Sequence, residues 1–222
     1  MHTNEIEKKL AAAQERLKLA AQALAPKHKG GEWEEFSAVD AEVLMLEREL
    51  AHAKGEEYAA ISDFPVKWDV GAPLPHVVAN DYCTFLIFYV REIDPNWDGT
   101  YATIKNPADG CVESLALVEF KRCASFRMGT PNDEVLEGHP LSGKGLDGYT
   151  SQVVQNSKWI AELEAINKVH SCYREDRWRK LTHYILWFHD STFECVAESY
   201  EVELFQESVS DLLAKACSRL LE

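Results

Sequence analysis

At 222 residues and 25.2 kDa, the chain has room for one large domain or one domain with an appendage, and not for three. A composition of 46% apolar and 27% charged residues excludes wholesale disorder. With 23 Lys+Arg against 37 Asp+Glu, the net charge of −14 argues against nucleic acid and anionic membranes, and leaves basic proteins, cations and neutral small molecules as partners. The opening MHTNEIEKKL is charged and lacks a leader-like apolar run, and no stretch approaches the roughly 18–20 apolar residues of a membrane span. Six cysteines (Cys83, Cys111, Cys123, Cys172, Cys195 and Cys217) form no C-x-x-C pair and sit mostly in apolar runs. A cytoplasmic protein with reduced thiols is expected.

Ile6, Leu10, Ala13, Leu17, Ala21 and Leu24 recur at steps of three and four and predict a first helix. Asn4 and Glu7 offer a capping box, and Ala25–Pro26 a stop. After Gly30–Gly31, a second amphipathic run carries Trp33, Phe36, Val39, Val43, Leu46 and Leu50 and ends near Gly55. Residues 1–55 therefore read as an antiparallel helical hairpin. Its apolar seams can meet each other, a second copy in a homo-oligomer, or the remainder of the chain.

Residues 60–222 read as an α+β domain with a mostly antiparallel sheet and late helices. Tyr82–Arg91 is nearly all apolar and predicts a central strand buried on both faces. Asp98–Gly99 is a hairpin signal leading into Tyr101–Lys105, and Val112–Lys121 and Cys123–Arg127 are further strands. Residues 129–149 hold five of the eleven glycines and read as a long loop. Asn156 is placed to cap a helix with Trp159, Leu163 and Ile166. Lys180–His189 and Thr192–Leu204 form a hairpin, and Ser208–Asp211 opens a last helix.

The runs WDVGAPLPHVVANDYCTFLIFYV, NWDGTY, GHPLSGKGL, NSKWIAELEAINKVH and HYILWFHDSTFECVAESYEVE resemble a widespread group of bacterial proteins of uncharacterised activity. The resemblance spans about residues 64–205 and leaves out the helical hairpin. It implies one compact unit there and brings no activity or site residues with it.

Asp94, Asn96 and Asp98, followed by Gly99, match the start of a calcium loop, but Lys105 stands where the closing Glu belongs and the flanks read as strands. An Asp–Gly hairpin turn is the plainer reading. Gly138-His-Pro-Leu-Ser-Gly-Lys144-Gly145 lacks the Ser/Thr of a P-loop and its strand–helix context, although Lys144 and His139 could still meet an anion there.

The late hairpin carries the most chemistry. Read outward from a two-residue turn at Asp190–Ser191, Trp187 would face Glu194, Ile185 would face Val196, and His183 would face Glu198. Tyr184, Leu186, Phe188, Phe193, Cys195 and Ala197 then form a core face. His183, Glu194, Glu198 and His189 become acid/base candidates on the other, with Trp187 as a binding surface. The plainer reading is a covered or solvated face with an incidental His–Glu pair. No G-x-S-x-G elbow or activated cysteine is visible, and no cofactor can be named. The expectation is an acidic interaction protein of the immunity or antitoxin kind with a basic protein partner. The alternative is a hydrolase-like enzyme working on the His/Glu face.

Overall fold

The computed structural model describes residues 3–24, 31–92 and 105–222. The Asp94/Asn96/Asp98 calcium candidate and the Asp98–Gly99 turn lie outside the described residues. The chain is α+β. It opens with α1 (Thr3–Ala23) and α2 (Glu32–Lys54). Then come β1 (Tyr58–Ile61), β2 (His76–Ala79), β3 (Thr84–Tyr89), β4 (Glu113–Lys121), β5 (Ser125–Gly129) and β6 (Ser151–Gln155). They are followed by α3 (Lys158–Asn167), α4 (Glu175–Trp178), β7 (Thr182–Trp187), β8 (Thr192–Ala197), β9 (Ser199–Glu207) and α5 (Val209–Arg219).

The hairpin seam closes on itself: Ile6, Leu10 and Ala13 of α1 pack with Val43 and Leu46 of α2, and Leu17 and Leu50 flank them. Each buried Ile, Leu or Val side chain there contributes roughly 1.5–3 kcal/mol by leaving water. Asn4 lies inside α1 rather than at its cap. At the start of α2, the Glu34 carboxylate accepts from the Gly31 N–H at 2.9 Å, and Gly55 ends the helix in the left-handed region (φ 68°). Trp33, expected on the seam, is instead 61% exposed and stacks on Phe36.

Two antiparallel sheets pack face to face. One has the order β1-β6-β7-β8-β5 and the other β2-β3-β4-β9. Between them, Leu86, Phe88, Ala116, Val118 and Phe120 meet Tyr184, Leu186, Phe188, Phe193, Cys195 and Ala197, with Trp68 at the edge. All six residues of β3 are buried because α5 covers the opposite face of its sheet through Val209, Leu212 and Ala216. The outer face of the five-stranded sheet is covered by Leu141 and Leu146 of the glycine-rich segment, which pack on Val154, Ile185 and Trp187.

The strand expected over Thr192–Leu204 is two strands in two sheets. β8 pairs with β5, and β9 pairs with β4. Both chains turn the corner together: Arg122 takes a left-handed conformation (φ 52°), Glu198 N–H donates to Lys121 O at 3.0 Å, and Ala124 N–H donates to Val196 O at 2.7 Å. Strands that bend from one sheet into the other make the corners of such sandwiches.

The hairpin is fastened to the sandwich by Gly145. Arg48 donates to Ala59 O at 2.9 Å and to Gly145 O at 2.8 Å, and the Gly145 N–H donates to the buried Glu47 carboxylate at 3.0 Å. Gly145 has φ +78°, and an added Cβ would lie 2.3 Å from Arg48 Cγ and 2.9 Å from Ala59 O. Gly143 shares the left-handed conformation (φ +71°) in open space. Gly143→Ala should therefore cost only the conformational penalty of about 1–2 kcal/mol. Gly145→Ala should cost clearly more, about 3 kcal/mol or above, because the Arg48 contacts must also move. Urea unfolding of both variants checks the difference, and equal losses would contradict this view of the joint.

Candidate functional site

The turn between β7 and β8 sits one residue earlier than expected, at His189–Asp190. Phe188 N–H donates to Ser191 O at 2.9 Å, and the pairing runs Trp187 to Thr192, Ile185 to Glu194 and His183 to Val196. A two-residue slip leaves every side chain on its expected face but changes its neighbours. His183 and Glu198 are therefore not partners. Glu198 sits at the sheet corner, where Arg122 Nη1 donates to its oxygens at 3.0 and 3.1 Å.

The carboxylate that meets His183 is Glu194. Its Oε2 lies 2.8 Å from His183 Nε2 across the β7–β8 pair, and both residues are nearly inaccessible, at 3% and 4% exposure. Arg127, directly opposite Glu194 on β5, grips the same carboxylate with both forks: Nε to Oε1 at 2.8 Å and Nη2 to Oε2 at 2.8 Å. The His139 ring stands 3.7 Å from Oε1. His139 Nδ1 accepts from the Leu141 N–H at 3.2 Å, so the proton sits on Nε2, facing the carboxylate. Burial pushes the Glu194 carboxyl up, but His139, His183 and Arg127 outweigh it and hold the group well below the ordinary carboxylate range.

On its other side, the His183 ring reaches Ser157. Nδ1 lies 2.8 Å from Ser157 Oγ, which caps α3 by accepting from the Ile160 N–H at 3.2 Å. Carboxylate on Nε2 and hydroxyl on Nδ1 set the tautomer: Nε2–H donates to Glu194, and Ser157 O–H donates to Nδ1. Ser157 follows Asn156, whose φ of 52° turns the chain sharply from β6 into α3. Asn156 itself does not cap the helix; its Nδ2 donates to Glu56 O at 3.1 Å. Trp159 covers the group, edge-on to His183 with its ring under the Arg127 guanidinium. A recess of about 420 Å³ opens beside Ser157 and His183, walled by Ile160, Glu164, Leu181 and Thr182.

The remaining sequence candidates lie elsewhere. Trp187 is a core residue, fully buried, with its Nε1 lacking a partner among the described residues and its ring against His139. His189, in the β7–β8 loop, bonds Asp133 Oδ2 through Nδ1 at 2.8 Å with Tyr149 O–H beside it at 3.1 Å. The Asp133 bond raises the imidazole's pKa against a smaller effect of burial. Lys144 pairs with Glu56 at 3.4 Å and serves the hairpin joint. Among the described residues, no three His, Cys, Asp or Glu side chains converge to hold a metal ion, and no helix is long and apolar enough to cross a membrane.

Arg127 and Ser157 were not among the candidates, yet each had a local signal. Arg127 lies in a segment already expected to be a strand, and Ser157 follows an Asn at a strand-to-helix junction. What was missing was the pairing of β5 with β8. No protein family, no curated protein and no solved structure matches the chain.

Glu194→Gln removes the buried charge, returns the half-exposed Arg127 guanidinium to water and leaves both histidines facing a neutral amide. The substitution should cost about 1–3 kcal/mol at neutral pH. Because the folded pKa is depressed, the native carboxylate's contribution is complete above the ordinary glutamate value of 4.5 and is lost as pH falls through the folded value. The stability gap between wild type and variant should thus be constant above about pH 5 and narrow below it. A gap that widens in acid would reverse the sign assigned here.

Proposed function

We propose that the chain is a hydrolase-like enzyme whose nucleophile is Ser157, with His183 as general base and Glu194 as the group that orients it. The observation that carries this reading is the linear relay of hydroxyl, imidazole and carboxylate, with both contacts at 2.8 Å, opening on a recess of about 420 Å³. Such a constellation is recognised by geometry and roles rather than by chain order or motif. In the expected reaction, Ser157 Oγ attacks an acyl carbonyl while its proton passes to His183 Nδ1. Glu194 stabilises the resulting imidazolium through Nε2–H. The imidazolium returns the proton to the leaving group, and a water activated by the same ring releases the acid from Ser157.

The start of α3 supplies one donor for the developing oxyanion. The first N–H groups of a helix have no partner within it. Here Lys158 N–H is taken by Glu57 Oε2 at 3.1 Å and Ile160 N–H by Ser157 Oγ, which leaves Trp159 N–H for a substrate oxygen. Arg127 works against speed. By neutralising Glu194 it weakens the carboxylate's hold on an imidazolium, so a modest turnover is expected.

The test is covalent. A fluorophosphonate probe incubated with the full chain should label Ser157, identified by peptide mass spectrometry, and His183→Ala should lower the labelling rate by about 100-fold or more. Ser157→Thr retains an N-cap hydroxyl and serves as the folding control. No adduct on folded wild-type protein, or a rate indifferent to His183, would remove Ser157 as a nucleophile.

A second reading, an interaction protein with a basic partner, rests on a different feature. The stacked Trp33–Phe36 pair lies at the start of α2, with Trp33 exposed and Phe36 half-buried, in the acidic run Glu32-Trp-Glu-Glu-Phe36. An exposed tryptophan ringed by carboxylates suits an apolar pocket on a cationic protein. This reading needs no chemistry at Ser157 and survives its failure.

A further inference from the structure

A second recess, of about 560 Å³, lies between the β4–β5 corner and the segment linking α3 to α4. Its size falls in the range of small-molecule sites. Three of the chain's nine arginines, Arg122, Arg174 and Arg177, line it, in a molecule whose net charge is −14. Glu198 is the one carboxylate among the lining residues. The recess therefore concentrates positive charge against the sign of the whole molecule.

The donors are incompletely used. Arg122 meets Glu198 through Nη1 alone, leaving Nε and Nη2 outside that pair. Arg174 commits Nε and Nη2 to Asp176 at 3.0 and 2.6 Å, which leaves Nη1. The Arg177 guanidinium, among the described residues, makes neither an ion pair nor a hydrogen bond. His170 Nδ1 accepts from the Cys172 N–H at 3.0 Å, so in the neutral ring the remaining nitrogen is an N–H donor. Trp178 and Leu181 give the recess an apolar wall.

We infer that this recess binds a small organic phosphate monoester, with the phosphate on the arginine forks and the carbon body against Trp178 and Leu181. A phosphate offers three terminal oxygens and close to two negative charges, which matches several guanidiniums and an imidazole N–H; a carboxylate has only two oxygens to share among them. The apolar wall distinguishes an organic phosphate from the free ion. This site is independent of Ser157: it asks for binding, not for chemistry.

Isothermal titration of the full chain with phenyl phosphate, inorganic phosphate and benzoate tests it. Phenyl phosphate should bind saturably, and more tightly than either of the other two. Arg177→Ala should weaken it by about tenfold or more, equivalent to about 1.4 kcal/mol, while leaving the far-UV circular dichroism unchanged, since the side chain holds nothing in the free protein. No binding of phenyl phosphate at millimolar concentration, equal affinity in Arg177→Ala, or benzoate binding as tightly would each overturn the assignment.

Discussion

A carboxylate with 4% exposure cannot stay ionised inside a protein unless its surroundings return what water supplied. Glu194 sets that condition for the sandwich's outer layer. Its oxygens collect the Arg127 fork from edge strand β5, the His183 imidazole from β7 and the neighbouring His139 ring from the glycine-rich segment. Through His183 the same chain of bonds reaches Ser157 and the first turn of α3. One buried charge thus fixes where an edge strand pairs, how a loop lies and where a helix begins. Leaving any partner out would cost more than the charge contributes, so the set is satisfied together.

The same arrangement explains why the proposed relay is also a stabilising network. A serine that caps a helix, a histidine with both nitrogens engaged and a carboxylate held by arginine form a stable network on their own account. In the proposed reaction a substrate would reach the relay through the recess beside Ser157, which follows the sharp turn at Asn156. Trp159 holds the group from above, against both His183 and Arg127.

Much of this was legible in the sequence, and the failures have physical causes. The hairpin helices, the β3 core strand, the α+β class and the two faces of β7 and β8 follow from periodicity, because burial of one face enforces it. The exact neighbours did not follow: the turn falls at His189–Asp190 instead of Asp190–Ser191, and the resulting slip of two residues preserves faces while moving His183 from Glu198 to Val196. The sheet corner did leave a trace. Core residues Phe193, Cys195 and Ala197 step by two, and the next, Tyr200 and Val202, resume out of phase at Glu198. Read as unbroken alternation, that shift disappears. β1, β2 and β6, of four or five residues each, lack enough alternation to stand out. The meeting of Arg127 with Glu194, 67 residues apart, depends on strand order, which no local pattern encodes.

Native-state hydrogen exchange on Glu194→Gln tests most directly whether this carboxylate is the hub. If it is, amides in β5, in β7 and at the start of α3 should lose protection together and by a similar free energy, although they belong to separate segments of the chain. Loss confined to β8 and its immediate turn, with β5 and the α3 terminus as protected as in the wild type, would contradict it.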